Sequence, residues 1–209
     1  MPFNSSSCYN SLTPMKQKII AITGPIAAGK SEAAEYFKLK GCFVVNADRI
    51  GHAVLEKRNI SLKLLTVFGE GIFDNKKINR KKLGVIVFSD KKKLAKLNSI
   101  VHPEIIKEIE KLIAKFYSVK KNIGKIFVID AALPPIFKGI ARKVILVIAS
   151  KKIRLERLKK IGLSVDKVKE IFAIQPSDKE YKSIADHVVI NNSTDEKFHT
   201  KLESIYGII

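Results

Sequence analysis

Residues 18–31 read KIIAITGPIAAGKS, in which an apolar, β-branched run stops at a glycine-rich segment. A short apolar run of this kind is typical of a buried strand. Gly24-Pro25 ends the run, because glycine and proline together break regular structure. Helical periodicity begins near Lys30 and continues through Phe37. The stretch therefore predicts a strand, a loop and a helix in direct succession.

The loop in this stretch fits the pattern G-x-x-x-x-G-K-[ST] at every fixed position. Backbone N–H groups of such a loop surround phosphate oxygens, and the positive end of the helix dipole adds to their attraction. In this pattern the lysine reaches the β- and γ-phosphates and the hydroxyl ligates Mg²⁺. An accidental Gly-Lys-Ser at a helix start is the alternative, and the strand–loop–helix order disfavours it. The residues predicted to bind ATP are Gly24, Ala27, Ala28, Gly29, Lys30, Ser31 and Glu32.

Further short apolar runs lie at 42–45, 126–129, 144–148 and 188–190. Short apolar strands separated by helices predict a parallel sheet covered on both faces. The predicted fold class is α/β: a P-loop three-layer α/β/α sandwich with about five parallel strands, a helical substrate-binding insertion and a helical lid. Residues 48–119 are predicted to contain helices only, at 48–56, 61–68, 79–88, 90–101 and 102–117. Other helices are predicted at 151–160, 164–175, 178–184 and 194–205.

The predicted organisation is a single domain, 15–209, preceded by a disordered extension at 1–14. The nucleotide-binding core comprises 15–50 and 122–209, the insertion 51–121, and the lid 150–184.

Composition excludes several classes of protein. Of the 209 residues, 46% are hydrophobic and 28% charged, which is globular composition. No apolar run approaches the roughly 18 residues that a membrane-spanning helix needs. The polar start of the chain lacks the apolar centre of a secretory signal. The two cysteines, Cys8 and Cys42, form neither a metal pattern nor a disulfide framework. We therefore expect a cytoplasmic protein with no membrane partner.

The chain is strongly basic, with 39 Lys and Arg against 20 Asp and Glu, a net charge of +19. Such a balance favours an anionic partner. The lysines are scattered, and no cluster of aromatic and arginine residues is suited to stacking bases. We therefore expect a lysine-rich surface and no nucleic-acid partner. A nucleic-acid-binding protein that keeps a P-loop stays as an alternative. The oligomeric state is left open, with a slight preference for a monomer.

The P-loop alone does not separate kinases, ATPases and GTPases. The Asn-Lys-x-Asp motif of GTPases is not found in the sequence, and mechanical ATPases are normally larger. A small P-loop chain with helical additions therefore suggests a kinase for a small substrate.

Several ordered segments carry a family resemblance: Gly41 to Asp48 (GCFVVNAD), 97–103 (LNSIVHP), Gln175, and 185–192 (ADHVVINN). Together with the P-loop they resemble dephospho-CoA kinases over residues 18–192. The resemblance implies that the γ-phosphate of ATP is transferred to the ribose 3′-hydroxyl of 3′-dephospho-CoA, giving CoA and ADP in the last step of coenzyme A synthesis. The alternatives are another P-loop kinase of a small metabolite or nucleotide, and a degenerate homologue that binds ATP without transfer.

The resemblance implies roles for several further residues. Asp48 follows a strand end, where open α/β sheets place their ligand crevice, and would act with Lys30 in catalysis and bind the acceptor. Its alternative role is the N-cap of a helix at 49–56. Asp130 ends the third strand and would hold Mg²⁺ together with Ser31. Arg80 and His102 would bind the acceptor, although Arg80 also fits a surface arginine and His102 a helix cap. Arg157 and Asn191 would bind ATP.

The sequence departs from the family pattern at several positions. Family loops carry glycine near the position where this chain has Ala27, and alanine is compatible with the loop if its φ stays negative. Family loops also carry threonine where this chain has Glu32. The segment 131–136 lacks the family's acidic residue. The usual lid arginines are also missing, because lysines follow Arg157-Leu158 and Ile171 stands four residues before Gln175. Lysine supplies charge without the guanidinium fork. The candidates for a replacement clamp are Arg154, Arg157, Lys159 and Lys160.

Overall fold

The structure is a computed structural model that describes residues 17–192 and 195–209, so the predicted extension at 1–14 lies outside the described residues. The first half of the chain forms β1 (Lys18–Thr23), α1 (Lys30–Leu39), β2 (Phe43–Asn46), α2 (Ala47–Leu55), α3 (Arg58–Phe68), β3 (Phe73–Asp74), β4 (Lys77–Ile78), α4 (Arg80–Phe88) and α5 (Lys91–Tyr117). The second half forms β5 (Ile126–Asp130), β6 (Lys143–Ile148), α6 (Lys151–Lys160), α7 (Val165–Ile174), α8 (Asp178–Lys182), β7 (His187–Ile190) and α9 (Asp195–Tyr206).

The main sheet contains five strands in the order β2-β5-β1-β6-β7. Every neighbouring pair is parallel, and β1 lies at the centre between β5 and β6. The predicted α/β class with about five parallel strands is therefore confirmed. Because the strands are parallel, their carboxyl ends share one edge of the sheet, and the loop after β1 opens at that edge.

Apolar side chains cover both faces of the sheet. One core joins Ala21, Phe127 and Ile129 to residues of α2, α3, α4 and α5, including Leu64 and Ile109. The other core joins alternate strand residues to α1 and α9. Strands that are buried on both faces are apolar at successive positions. This explains why the strands of the main sheet could be predicted from short apolar runs in the sequence.

A small hairpin corrects the prediction that 48–119 contains helices only. β3 and β4 pair antiparallel, Phe73 with Ile78 and Asp74 with Lys77. The connecting residues Asn75 and Lys76 both have positive φ, 46° and 63°, as tight hairpin turns require. Strands of two residues each are too short to show an alternating pattern, so periodicity could not reveal them.

Helix α5 also differs from its prediction. One helix of 27 residues replaces the predicted helices at 90–101 and 102–117, and it passes through Pro103. Asp90 caps the helix by accepting from the backbone N–H groups of Lys92 and Lys93. His102 therefore lies inside the helix, and the alternative that it caps one is wrong. Val101 and Ile105 continue a buried stripe across the proline, so packing outweighs the backbone hydrogen bond that proline removes.

No helix among the described residues is both long enough and apolar enough to cross a membrane.

Candidate active site

The loop between β1 and α1 has the backbone that its glycines predict. Gly24 has a φ of 146°, and a Cβ atom there would lie 2.0 Å from the carbonyl oxygen of Val147. Gly29 has a φ of 106°, and a Cβ atom there would lie 2.2 Å from Nδ2 of Asn191. Both positions therefore need glycine, for backbone conformation and for space.

Ala27 does not keep a negative φ. Its φ is 59°, in the left-handed region that costs a residue with a side chain roughly 1–2 kcal/mol. The expectation of a negative φ at this position is therefore wrong. The Ala27 carbonyl accepts a hydrogen bond of 3.1 Å from Nη1 of Arg157, which helps to hold this conformation.

Lys30 and two carboxylates interact at the carboxyl edge of the sheet. Burial lowers the pKa of Lys30, while the negative charges of Asp130 and Asp48 oppose that shift. Burial likewise raises the pKa of Asp130, opposed by Lys30 and by a hydrogen bond from Asn46, and reinforced by repulsion from Asp48. The charges of Lys30 and Asp130 thus offset part of each other's desolvation, and Asp48 stabilises the charge on Lys30 but opposes the charge on Asp130.

Asp48 lies in the first turn of α2, where it is exposed. The helix begins at Ala47, and its cap is Asn46, whose Oδ1 accepts from the backbone N–H of Arg49 at 2.9 Å. The alternative that Asp48 is the N-cap is therefore wrong. The carboxylate of Asp48 takes no part in capping α2, and Asp48 lines a cleft of about 400 Å³.

A larger cleft of about 1130 Å³ adjoins the loop. Its wall is formed by α4, α5, the segment after β5, and α7 with the residues that follow it. Asn98, His102 and Leu133 line both clefts, so the two are continuous with each other. The combined space has a mainly apolar wall from Val85, Phe88, Leu94, Leu133, Pro134 and Ile171.

His102 occupies the junction of the two clefts. Burial lowers the pKa of its imidazole, which favours the neutral form of the ring. A neutral imidazole offers one donor and one acceptor to a bound molecule.

Arg157 on α6 binds the loop from the side. Its Nη1 donates to the carbonyls of Ala27 and Ala28 at 3.1 and 3.3 Å. Its Nη2 donates to Oδ1 of Asn191 at 3.2 Å. Asn191 follows β7 and is 1% exposed. The guanidinium therefore joins the loop to the end of the edge strand.

The loop residue Ile26 is held by two further side chains. Its carbonyl accepts from Nε of Arg154 at 3.1 Å, and its N–H donates to Oε1 of Gln175 at 3.1 Å. Arg154 also stacks on Phe172 of α7, with the guanidinium carbon 4.5 Å from the ring centre. Positions 154 and 157 share one face of α6, which explains how one helix supplies both arginines.

A sequence profile for the family described as dephospho-CoA kinase matches residues 18–197. The chain belongs to the dephospho-CoA kinase family. A dephospho-CoA kinase from Fusobacterium nucleatum is 35% identical over 195 residues, covering 90% of this chain and 97% of that protein. The alternative of a different small-metabolite kinase family is therefore set aside. The relatives are phosphotransferases, so the predicted enzyme class is confirmed, and membership of a kinase family implies ATP-dependent phosphoryl transfer.

Solved structures agree with this assignment. Dephospho-CoA kinase from Campylobacter jejuni is 27% identical, with a TM-score of 0.59 and coverage of 92% of this chain and 97% of that one. A crystal structure of a Thermus thermophilus protein, 24% identical, superposes with a TM-score of 0.75 over 93% of this chain and 98% of that one, which shows the shared fold.

Some predicted site residues of this family member lie away from the loop or point elsewhere. Arg80 is exposed in the first turn of α4 and is not among the residues that line the two clefts, so its contact with the acceptor stays a prediction. Glu32 turns toward the last elements, with Oε2 3.5 Å from Nδ2 of Asn191 and Oε1 3.4 Å from Nε2 of His199. Lys159 and Lys160 are exposed at the end of α6, whereas Arg154 and Arg157 contact the loop.

Two residues near the site were not selected from the sequence. Asn46 donates from Nδ2 to Oδ2 of Asp130 at 2.7 Å. Tyr181 is fully buried and donates to the carbonyl of Ala132 at 3.0 Å, within the segment that departs from the family. An asparagine between a strand and a helix is a signal for a cap and could have indicated Asn46. No local pattern distinguishes Tyr181 from an ordinary core residue.

Proposed function

We propose that this protein transfers the γ-phosphate of ATP to the ribose 3′-hydroxyl of 3′-dephospho-CoA, giving CoA and ADP. The observation that carries the proposal is that Lys30 of a phosphate-binding loop interacts electrostatically with Asp130 and Asp48, while Asp48 lines a cleft that continues into a larger, mainly apolar one. Membership of the family supports the same reaction. An anionic nucleotide fits the loop, and a long acceptor with an apolar arm fits the cleft.

The nucleotide side of the reaction uses the loop itself. Its backbone N–H groups and the N-terminus of α1 attract phosphate oxygens, and Lys30 would neutralise charge on the β- and γ-phosphates. Arg157 and Asn191 brace the loop and the adjoining strand end, which favours a role for both at the nucleotide.

A magnesium ion fits the oxygen donors at this edge. Mg²⁺ is usually held by one or two carboxylates together with substrate phosphates, rather than by a cage of protein ligands. Within the described residues no group of His, Cys, Asp and Glu is arranged as such a cage. Asp130, at the end of β5, and the Ser31 hydroxyl, at the start of α1, are the groups that would hold the ion. When bound, it would neutralise charge on the transferring phosphate.

The acceptor side relies on Asp48. Its carboxylate would accept the proton of the ribose 3′-hydroxyl as that oxygen bonds to the γ-phosphorus, while the bond from the γ-phosphorus to the ADP oxygen breaks. Lys30 stabilises the charge on the transferring group. ADP then leaves as the anion, and the proton on Asp48 passes to solvent.

The insertion at 51–121 and the lid at 150–184 would hold the acceptor from opposite sides. The larger cleft is lined by α4 and α5 on one side and by α7 on the other. His102 at the junction would bind a polar part of the acceptor. Closure of the lid over the acceptor would exclude water, so that the phosphate goes to the ribose rather than to solvent.

We also infer a monomeric, cytoplasmic enzyme that has no nucleic-acid or membrane partner. The basic charge is accounted for by two polyanionic substrates and a lysine-rich surface. Light scattering of the purified chain would test the monomer.

The first experiment is a single reaction with Mg²⁺, ATP and dephospho-CoA, in which ADP and CoA are both followed by mass. We expect one CoA per ADP, and loss of turnover when EDTA removes the metal. A panel of other hydroxyl acceptors serves as the comparison. Phosphorylation of another acceptor in preference to dephospho-CoA would contradict the proposed substrate.

ATP binding without CoA formation would identify the degenerate homologue instead. Tight binding of a nucleic acid with a steep salt dependence, and no turnover, would favour the nucleic-acid alternative.

Replacing Arg157 by lysine tests the brace on the loop. Lysine cannot serve the carbonyls of Ala27 and Ala28 and the side chain of Asn191 together, because it lacks the guanidinium fork. We expect the KM for ATP to rise about tenfold, while the KM for dephospho-CoA changes less than about twofold. Steady-state kinetics with each substrate varied in turn measure both constants.

Arg58→Lys, an exposed arginine in the first turn of α3, is the matched control and should leave both constants unchanged. An unchanged KM for ATP in Arg157→Lys would show that the brace does not act on nucleotide binding.

A further inference from the structure

Asn46 is the last residue of β2, and it pairs in register with Asp130, the last residue of the neighbouring strand β5. Its side chain has a partner at each end. Oδ1 accepts from the backbone N–H of Arg49 at 2.9 Å, and Nδ2 donates to Oδ2 of Asp130 at 2.7 Å. One amide group therefore connects a strand end, a helix start and a carboxylate.

The bond to Asp130 orients a carboxylate that is 5% exposed. A buried carboxylate can rotate about its side-chain bonds unless a partner holds one oxygen. Because Nδ2 of Asn46 uses one lone pair of Oδ2, the carboxylate keeps a fixed orientation, and its other lone pairs can face a ligand. Partners of this kind hold the ligands of metal ions in place in many proteins.

The bond to Arg49 acts on the second carboxylate. It caps α2, whose first turn carries Asp48. A cap satisfies an otherwise unpaired N–H and sets where the helix begins. The position of Asp48 relative to the sheet therefore depends on the same side chain that holds Asp130.

We propose that Asn46 is a positioning residue for phosphoryl transfer, whose amide holds the Asp130 carboxylate and the start of α2, and with it Asp48, in one fixed arrangement. The inference rests on the proposed function, since it assigns Asp130 to the metal and Asp48 to the acceptor hydroxyl. An amide suits this position because it donates and accepts at once. It also adds no third negative charge beside Asp130 and Asp48.

The test separates the two hydrogen bonds. Asn46→Ser keeps a good helix cap, but its hydroxyl ends one bond short of the amide nitrogen and loses the bond to Asp130. Asn46→Ala loses both bonds. The matched control is Asn79, which caps α4 by accepting from Lys81 and Lys82 and donates to Asp74, away from both clefts. Asn79→Ser and Asn79→Ala are therefore made beside the Asn46 variants.

For each variant, the measurements are kcat, the KM for ATP, the Tm, and the affinity for Mg²⁺ in the presence of ADP by titration calorimetry. We expect Asn46→Ser to keep the wild-type Tm, to lose about 10- to 100-fold in kcat, and to bind Mg²⁺ about tenfold more weakly. The KM for ATP should rise by up to about tenfold as well, because ATP binds together with its Mg²⁺ ion and loses the same interaction. Both alanine variants should lower the Tm alike, and the Asn79 variants should keep the wild-type affinity for Mg²⁺, because α4 carries the predicted acceptor contact Arg80 but no predicted ligand of the ion.

A wild-type kcat and Mg²⁺ affinity in Asn46→Ser would overturn the proposal and leave Asn46 as a helix cap. A fall in kcat that merely follows a fall in Tm would overturn it as well. If the wild-type protein forms no CoA, the proposed function fails, and the Mg²⁺ titration with ADP still decides whether Asn46 positions Asp130.

Discussion

Replacing Lys30 by methionine is expected to lower kcat by about 10³-fold, the size of loss seen when a group that stabilises transition-state charge is removed. Methionine keeps most of the side-chain length and removes the ammonium. The transferring phosphate would then lack its cationic partner, and Asp130 and Asp48 would lose the positive charge that attracts both of them. Steady-state formation of CoA measures the effect.

Lys38→Met is the control, because Lys38 is an exposed lysine on the same helix, paired with Glu35. It should retain wild-type kcat. Circular dichroism of both variants checks that the helix content is unchanged. A Lys30→Met enzyme within about tenfold of wild type would contradict the role of Lys30, since a single neutral hydrogen bond can account for a loss of that size.

Asp48→Asn is expected to lower kcat by about 10²- to 10⁴-fold, the range that positioned general bases contribute. Asparagine has nearly the same shape, but it cannot accept the hydroxyl proton. The KM for ATP should stay near the wild-type value, because Asp48 lies on the wall of the acceptor cleft and not in the phosphate loop. Steady-state kinetics with both substrates varied provide the two numbers.

The control is Asp195→Asn, an exposed aspartate in the first turn of α9, which should leave the kinetics unchanged. A rise in the KM for dephospho-CoA with unchanged kcat would overturn the role as a base. That result would instead assign Asp48 to binding of the acceptor.

Neighbouring residues are enough to predict the nucleotide loop and most of the main sheet. β1 and α1 have the predicted limits, Lys18–Thr23 and the start at Lys30, because β-branched residues, a glycine-rich break and helical spacing all follow within 14 consecutive positions, 18–31. The other four strands of the main sheet lie within about one residue of their predicted limits, a shift no larger than the usual uncertainty of element ends. Asp130 at a strand end was predicted for the same local reason.

Neighbouring residues were not enough to predict an element where contacts with distant parts of the chain determine its structure. α5 continues through Pro103 because Val101 and Ile105 are buried against other elements. The residues next to them in the sequence do not indicate this burial. The hairpin of β3 and β4 depends on pairing rather than on periodicity. The capping alternative for Asp48 failed because Asn46, two residues earlier, begins the helix.

The phosphate-binding loop on a parallel sheet could be predicted from neighbouring residues, because that loop needs particular residues at fixed, adjacent positions. The side chains that surround the loop could not be predicted in this way. Arg157 meets the carbonyls of Ala27 and Ala28 about 130 positions away in the chain, and Asn46 meets Asp130 across 84 positions. Contacts of this kind depend on strand order and on how helices pack, which are properties of the whole fold. The residues next to each partner in the sequence therefore do not predict them.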